Sequence, residues 1–441
     1  MGSTRRWKSD TRRVGGRALE GWSAVALAAV VLVGGATTAH AEIAETPETP
    51  DAGQAFAAPA DGIYDLKGQG FGHGRGMSQW GAHEAAEDGL GYKKILDFYY
   101  PGTKLVDDAT SKAIRVRLSH NNSDVRVRME KNLEVVWTKE NGDVDTQKLP
   151  ATLAGCKVGT WRVNAVKGKD MTLEGYSCRA WRALIPASDV DSGGRISFVT
   201  SDDTFAMERR PSGKLLRRLY RGDLRVILRD KRLRPINIVK YDDYLRSVVP
   251  SESPAGWPTN SLRAQAVAAR TYALKSAINR KKKYFDVYDT TASQVYPGIA
   301  SLKLSWEISR TYEKERTDDA VRDTANETLM FDAKPALTEF GSSNGGWTAS
   351  GGVPYLQALQ DNWDPSTNWK DTVRVATLER RYPSIGALTE LRVVARNGGG
   401  DWGGRVSSIK LVGTQGERTV KGEDKIRNLL GLKSAWFTVT S

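Results

Sequence analysis

Apolar positions recur at helical spacing in the segment that follows Pro258. Leu262, Ala266, Ala269, Ala273 and Ala277 succeed one another at steps of three or four residues and so share one face of a helix. Pro258 suits a first-turn position, and Thr259, Asn260 or Ser261 is a suitable N-cap. Because the residues on this face are small, we expect another element to pack very close to it.

Alternation of apolar and polar residues dominates residues 110–240. It is clear in residues 114–120, 125–130, 133–137, 195–200 and 224–230, which turn residues separate. Val226 to Val239 reads as a hairpin that leads into the central stretch. The pattern predicts an α+β fold. We expect a mixed or antiparallel, β-rich core, a central Ala-rich helix that follows the loop around Glu252, and a β-rich inserted region.

Glu252 lies just before the Ala-rich helix, in the segment VVPSESP. Each proline disfavours the helical conformation of the residue before it, so we expect an extended or turn segment here. The neighbours Val248–Pro250 and Trp257 are apolar, and a carboxyl group in such surroundings has the raised pKa that a general acid needs. The alternative is that Glu252 only favours the positive end of the following helix.

A glycine-rich run, GQGFGHGRGMSQWGA, occupies residues 68–82. Alternating glycines allow backbone conformations closed to other residues and let a ligand come close. A helix is predicted from Ser78 to about Asp88, and no G-K-[ST] follows, which excludes a phosphate-binding loop. For His73 two interpretations stay open: it donates to a ligand oxygen or positions Glu252, or its ring holds the glycine turns together.

Four segments together resemble the SpoIID/LytB domain family. They are Glu252-Ser253-Pro254 with Trp257-Pro258 and LRAQAVAARTYA at 262–273, the glycine-rich run at 68–82, DTTASQVYPG at 289–298, and FGSSNGGWT at 340–348. The resemblance covers about 62–105 and 220–441. In many relatives the glycine-rich segment follows the Glu-bearing helix, whereas here it precedes it, so we expect folding to bring the two into one cleft.

The resemblance implies an exported cell-wall protein that cleaves peptidoglycan glycan strands as a lytic transglycosylase, with a preference for strands stripped of their peptides. Glu252 would be the general acid and base. Ordinary glycosidases use two carboxylates, and the strong motifs here offer one, which suffices when the 6-hydroxyl of muramic acid attacks. The substrate-binding residues expected beside Glu252 are Arg270, His73, Gln79, Gln294, Tyr296, Ser342 and Ser343.

Some of these residues have competing interpretations. Pairing with Glu252 would lower the pKa of that acid, so we expect Arg270 to face the sugar instead. Gln294 and Tyr296 also fit a polar turn with one core aromatic residue. Ser342 and Ser343 lack the G-x-S-x-G elbow of a serine hydrolase. The competing function is a non-catalytic peptidoglycan-binding module that enhances a separate N-acetylmuramoyl-L-alanine amidase.

The N-terminal residues predict export. A basic stretch precedes the apolar run from Ser23 to Val33, and Ala39-His40-Ala41 is a small-x-small cleavage site. The run is shorter than the about 20 residues of a membrane span, and an uncleaved signal anchor is the alternative. The predicted segments are an export signal at 1–41, a linker at 42–61, the glycine-rich segment at 62–109, a β-rich insertion at 110–219, the catalytic core at 220–365, and a C-terminal α/β segment at 366–441.

Charge and cysteine content limit the classes of partner, disulfide and metal site that we expect. The formal net charge of +13 suits a polyanionic cell wall, and no nucleic-acid motif is present. Cys156 and Cys178, an even pair in an exported chain, predict a disulfide. They form no Cys/His cluster of the kind that holds zinc, so neither a metal nor a cofactor is expected.

Overall fold

The computed structural model describes residues 53–108, 113–121, 123–191 and 193–440. The predicted export signal and residues 42–52 of the predicted linker lie outside them. The described chain is 22% helix and 40% strand in several antiparallel sheets, which confirms the α+β prediction. Its α-helices are α1 Gln79–Glu87, α2 Tyr92–Tyr99, α3 Tyr241–Glu252, α4 Thr259–Asn279, α5 Glu315–Asp323, α6 Val375–Arg381 and α7 Glu423–Leu430.

The strands fall into three stretches of the chain. The first contains β1 Ala55–Ala57, β2 Ile63–Gln69, β3 Met77–Ser78 and β4 Lys104–Asp107. The second contains β5 Ile114–Arg117, β6 Asp124–Arg128, β7 Leu133–Thr138, β8 Val144–Lys148, β9 Thr152–Leu153, β10 Cys156–Lys157, β11 Thr160–Val166, β12 Asp170–Ser177, β13 Ala180–Ile185, β14 Arg195–Thr200, β15 Thr204–Arg209, β16 Leu216–Arg221, β17 Asp223–Arg229 and β18 Arg232–Val239. The third contains β19 Val287–Tyr288, β20 Ala300–Leu302, β21 Ile308–Thr311, β22 Glu327–Phe331, β23 Lys334–Pro335, β24 Phe340–Gly341, β25 Asn368–Arg374, β26 Leu388–Arg396, β27 Val406–Gly413, β28 Gly416–Lys421 and β29 Phe437–Val439.

Two large sheets enclose one hydrophobic core. The first has eight strands in the order β13-β12-β11-β6-β15-β16-β20-β21, and the second has seven in the order β19-β5-β18-β17-β14-β7-β8. Their inner faces contribute Val127, Trp161, Phe198 and Val226, among other buried residues. Strands β20 and β21 lie after α4 in the chain, so the sheet of the predicted insertion is completed by strands of the predicted core.

A second core lies under the four-stranded sheet β1-β26-β27-β28 and the three-stranded sheet β25-β2-β29. Strand β2 pairs with both β25 and β29, so the residues just before the glycine-rich run are hydrogen-bonded to the last strand described. This arrangement places residues 68–76 against the C-terminal part of the chain.

Helix α4 lies at the centre of the molecule, as its spacing predicts, but it is buried on more than the one face expected. Ala266, Ala269 and Ala273 belong to the core of the two large sheets. Ala264 and Val267, on another side of the helix, pack against α1 and α2. A helix whose apolar residues extend around it is surrounded by protein rather than lying on a surface. Helix α4 is therefore an interior helix.

The segment before α4 is helical, which corrects the prediction of an extended or turn segment. Helix α3 runs through Pro250 and ends at Glu252. A proline inside a helix costs roughly 3 kcal/mol, but Val248 and Val249 are fully buried here, and burial of such a side chain contributes roughly 1.5–3 kcal/mol. Tertiary packing therefore outweighs the local preference, and Glu252 becomes the last residue of a helix.

Candidate active site

Glu252 lies in a cleft of about 480 Å³ to which all four motif segments contribute. The glycine-rich run supplies Phe71, Gly72, His73, Arg75 and Gln79; helix α3 supplies Glu252 and α4 supplies Tyr272; the loop after β19 supplies Thr291, Ala292 and Ser293; and the segment around β24 supplies Glu339, Phe340, Gly341 and Ser342. The segments on the two sides of α3 and α4 in sequence thus meet at one carboxylate.

Backbone hydrogen bonds join the glycine-rich run to the segment around β24. Strands β3 and β24 pair in parallel, Phe71 N donates to Ser343 O over 2.8 Å, and Trp80 N donates to Ser342 O over 3.0 Å. Gly76 has a φ of 65°, and a Cβ there would collide with the carbonyl oxygen of Glu339. Glycine is required at this position by both conformation and space, and its absence of a side chain lets the two segments touch.

The Glu252 carboxyl group is held by neutral groups. Burial raises its pKa, while a hydrogen bond from Val295 N to Oε1, 3.0 Å long, and one from the Gln79 side chain act in the opposite direction. No described cation contributes to the shift. The group is therefore biased toward its protonated form, which is the state a general acid needs at the start of a reaction.

His73 contributes to the turn and to the cleft at once. Its Nδ1 accepts a hydrogen bond from Arg75 N, 3.0 Å away, which holds the glycine turn and leaves the ring proton on Nε2. Burial, followed by the nearby Arg75 guanidinium, lowers the pKa of His73 to about 4. The imidazole is therefore neutral near pH 7 and can offer a hydrogen bond, but it cannot offer a charge.

Arg75 and Glu339 form an ion pair in the same cleft, and sequence reasoning missed both. Arg75 Nε lies 2.8 Å from Glu339 Oε2 and Arg75 Nη2 lies 3.0 Å from Oε1, while Nη1 lies 3.0 Å from Asp424 Oδ2. The expectation that the motifs offer one carboxylate is thus incomplete, because Glu339 lines the cleft too. The available signal was position: Arg75 lies inside the glycine-rich run, and Glu339 directly precedes the FGSSNGGWT segment.

Arg270 lies outside the Glu252 cleft. Its guanidinium reaches Asp242 Oδ1 at 3.1 Å, Val321 O at 3.1 Å and Glu327 O at 3.2 Å, and the residue is 4% exposed. It lines a separate cavity of about 220 Å³ together with Asp242. These contacts join α4 to α3, α5 and β22. Arg270 therefore links elements inside the protein and does not face the Glu252 cleft.

Three further predicted residues also have internal partners. Gln294 accepts a hydrogen bond from Tyr244 Oη over 2.9 Å, and Tyr296 Oη donates to Asn237 Oδ1 over 2.7 Å. Ser343 Oγ donates to Asp364 Oδ1 over 2.8 Å. None of the three lines the cleft, whereas Ser342 does. The structure therefore brings His73, Gln79 and Ser342 to Glu252 and leaves Arg270, Gln294, Tyr296 and Ser343 elsewhere.

The two cysteines lie in the β-rich region. A disulfide joins Cys156 of β10 to Cys178, which follows β12. Within the described residues, no group of three or more His, Cys, Asp or Glu side chains is arranged to hold a metal ion. No helix in the described part of the chain has the length and apolar character that crossing a membrane requires.

Residues 229–331, which contain α3 and α4, match the SpoIID family, described as stage II sporulation protein. The chain carries a SpoIID domain. Stage II sporulation protein D of Bacillus subtilis (strain 168) is 28% identical over 251 residues, which is 54% of this chain and 71% of that protein. The amidase enhancer of the same organism is 36% identical over 143 residues, covering 31% of this chain and 18% of the enhancer. The matched SpoIID region holds Glu252, and the glycine-rich run that completes the cleft lies outside it.

Proposed function

We propose that this protein is a cell-wall lytic transglycosylase that cleaves the glycan strands of peptidoglycan, with Glu252 as general acid and then general base. The observation that supports the proposal is the state of Glu252. Its carboxyl group lies in a cleft built from four motif segments, and burial among neutral partners raises its pKa.

The reaction begins with the protonated carboxyl group. Glu252 gives its proton to the glycosidic oxygen as the bond from that oxygen to the anomeric carbon of muramic acid breaks. The 6-hydroxyl oxygen of the same muramic acid then bonds to the anomeric carbon, and the Glu252 carboxylate takes up the hydroxyl proton. The products are a 1,6-anhydro sugar and a shortened strand, and neither water nor a second carboxylate is consumed.

The neighbouring side chains suit an oxocarbenium-like transition state. His73 is neutral, and its Nε2–H can donate to a sugar oxygen without placing a positive charge beside the anomeric carbon. Arg75 holds both oxygens of Glu339. This bidentate grip fixes a negative group at the cleft and leaves it poorly placed to attack carbon, which argues against Glu339 as the nucleophile of a retaining hydrolase.

A second candidate function is suggested by the 36% identity to an amidase enhancer over 143 residues. In that case the cleft binds glycan without cleaving it, and the protein delivers or stimulates an amidase. Glu252 would then accept hydrogen bonds from sugar hydroxyls. The raised pKa favours the catalytic function, because a carboxyl group that only accepts hydrogen bonds gains nothing from being protonated.

Mass spectrometry of glycan strands after incubation with the purified protein tests the proposal. Peptide-free and peptide-bearing strands are compared, and Glu252→Gln is the matched variant because it keeps the shape of the side chain and removes the acid. We expect 1,6-anhydro-muramic ends from the wild type and none from the variant. Reducing ends would indicate a hydrolase and direct attention to Glu339, and bound but intact strands would favour the enhancer function.

A further inference from the structure

A groove of about 600 Å³ lies between helix α6, helix α7 and strand β28, in the C-terminal part of the chain. Three cationic side chains line it, Arg380, Arg381 and Lys425, and we call it the basic groove. Its volume lies within the about 300–1,000 Å³ that is usual for pockets that bind organic ligands. The groove is therefore larger than a single bound ion requires.

Helical spacing brings the polar residues of the basic groove together. In α6, Arg380 and Arg381 follow Thr377 by three and four residues, so the three side chains share one face of the helix. Lys425 and Asn428 of α7 are also three residues apart, and both line the groove. Two helices thus present their cations to the same space.

The basic groove contains positive charge without a neutralising group. No described carboxylate lines it, and within the described residues Arg380, Arg381 and Lys425 form no ion pair. The acidic side chains of α6, α7 and β28 have partners that do not line the groove: Glu379 accepts a hydrogen bond from Leu388 N, Glu417 pairs with Lys410, Glu423 accepts from Asn397, and Asp424 pairs with Arg75.

Elsewhere in the C-terminal part, cations are paired. Arg392 Nε lies 2.8 Å from Glu390, and Lys410 Nζ lies 2.9 Å from Glu417. Residues 366–441 contain thirteen Lys and Arg but seven Asp and Glu, so their carboxylates cannot neutralise every cation. A cleft lined by one sign of charge concentrates ions of the opposite sign. The basic groove is therefore a place where an anion is attracted.

The basic groove also has an apolar floor. Tyr382 and Leu429 are half-buried in it, and Val420 of β28 is buried. Arg418 lies two residues before Val420 and so is on the same side of this strand. Its guanidinium lies 5.5 Å from the ring centre of Tyr382, which adds a fourth cation beside the floor. A ligand that fits must offer carbon as well as negative charge.

Helix α7 lies between the basic groove and the Glu252 cleft. Asp424 Oδ2 lies 3.0 Å from Nη1 of Arg75, which lines the cleft, and the next residue, Lys425, lines the groove. The groove belongs to a part of the chain beyond residues 229–331, which match the SpoIID family. A ligand held there is therefore close to the cleft but occupies a separate site.

A polymer of alditol phosphate has the matching chemistry. Each phosphodiester carries one negative charge within the main chain, and a short carbon unit separates it from the next. Guanidinium groups bind phosphate oxygens in pairs, and a lysine binds them as a point charge. A carboxylate polymer such as polyglutamate instead carries its charge at the ends of side chains, and its polar amide main chain would lie on Tyr382 and Leu429.

We propose that the basic groove binds an anionic alditol-phosphate polymer of the cell wall and so holds the protein beside its glycan substrate. The cell-wall setting rests on the proposed function, whereas the charge of the groove does not. Because the groove and the Glu252 cleft are separate, the protein binds the phosphate polymer and a glycan strand at the same time.

Calorimetry at low salt tests this inference. The purified protein is titrated with poly(glycerol phosphate), with polyglutamate of equal charge and with inorganic phosphate. We expect the double variant Arg380→Gln with Arg381→Gln to bind poly(glycerol phosphate) roughly ten-fold more weakly than the wild type. The matched control is Arg179→Gln with Arg182→Gln, which removes two exposed arginines from another part of the chain and should bind like the wild type.

Three results would overturn the inference. An equal loss in the control variant would show that net charge alone attracts the polymer. Equally tight binding of polyglutamate would show that the groove does not recognise phosphodiesters, and equal affinity for inorganic phosphate would show that it does not recognise a polymer. Lys425→Gln is the second variant if the double variant fails to fold, because Lys425 is exposed and lies on the other helix.

The same titration separates this inference from the proposed function. Glu252→Gln should bind poly(glycerol phosphate) like the wild type, since Glu252 does not line the basic groove. Glycan strands that stay intact while the phosphate polymer binds would count against the transglycosylase alone. Strands that are cleaved while the phosphate polymer fails to bind would count against the groove alone.

Discussion

Glu252 and Arg270 are ionisable residues on consecutive helices, and their surroundings differ in one respect. Arg270 has a carboxylate and two backbone carbonyls within 3.2 Å, so its charge is satisfied by the protein. Glu252 has only a backbone N–H and an amide side chain, although burial opposes the charge of both residues. A buried charge that is fully paired supports structure, whereas one left with neutral partners retains the ability to exchange a proton.

Replacement of Glu252 tests this contrast most directly. We expect Glu252→Gln to lower the rate of strand cleavage by roughly 10²–10⁴-fold, because loss of general acid–base catalysis has that magnitude. The fold should be retained, since glutamine can still accept the hydrogen bond from Val295 N. Initial rates on peptide-free strands provide the measurement, and circular dichroism is the control. A variant with more than a tenth of wild-type activity would contradict the assignment.

At Arg270 the large effect should appear in stability. We expect Arg270→Met to lower the free energy of unfolding by about 3 kcal/mol, because the carbonyl oxygens of Val321 and Glu327 lose the guanidinium that donates to them, and each buried polar group left unsatisfied costs roughly 1–3 kcal/mol. Urea denaturation gives the value, and the rate per folded molecule should stay near that of the wild type. Arg263→Met is the control, since its ion pair with Asp323 is about one third exposed and worth under about 1 kcal/mol. A large loss of cleavage rate in folded Arg270→Met would show that Arg270 takes part in catalysis.

The pH dependence of stability sharpens the same contrast. Burial raises the pKa of Glu252 in the folded state, so folding favours the protonated carboxyl group. The stability that this group contributes is fully present below its pKa in the unfolded chain, and it is lost as the pH rises through its pKa in the folded protein. We expect Glu252→Gln to be more stable than the wild type at pH 7 and to approach it at pH 4. Thermal unfolding at both values measures this. An equal difference at the two values would show that Glu252 titrates as an ordinary surface acid.

The smallest effect is expected at Gln79. Its side chain hydrogen-bonds to Glu252 and lowers the pKa of that acid, so Gln79→Leu should shift the alkaline limb of the pH–rate profile to higher pH. The measurement is initial rate against pH, with His83→Ala on the same helix as control. A shift toward lower pH would mean that Gln79 stabilises the protonated form instead.

Most of the fold and part of the candidate site could be predicted from the sequence. The spacing of apolar residues predicted α4, and alternation predicted the strands of residues 110–240. The rule for residues before proline failed at Val249 because burial of α3 outweighed it. Arg270 belongs to a motif in sequence but turns away from the cleft, and no pattern reports which side of a fully buried helix a side chain occupies.

Two features depended on pairing between distant segments and could not be read from local pattern. Glu339 is an ordinary charged residue until Arg75, far away in sequence, is placed against it. The alternation around Arg117 and around Arg232 indicates strands. Only the pairing of β5 and β18 at Ile236 shows that Arg117 and Arg232 lie on the same face of the seven-stranded sheet. The segment boundaries proposed for the chain stay predictions.

The glycine-rich run is completed by the last residues of the described chain. Gly72 N donates to Lys433 O over 2.9 Å, Ser434 Oγ donates to Gln69 O over 2.5 Å, and β2 pairs with β29. Contacts between residues so far apart in sequence cannot form until the chain has been made almost to its end. A nick or truncation near Phe437 would therefore remove the strand that supports the glycine-rich side of the cleft, and it would do so without touching Glu252.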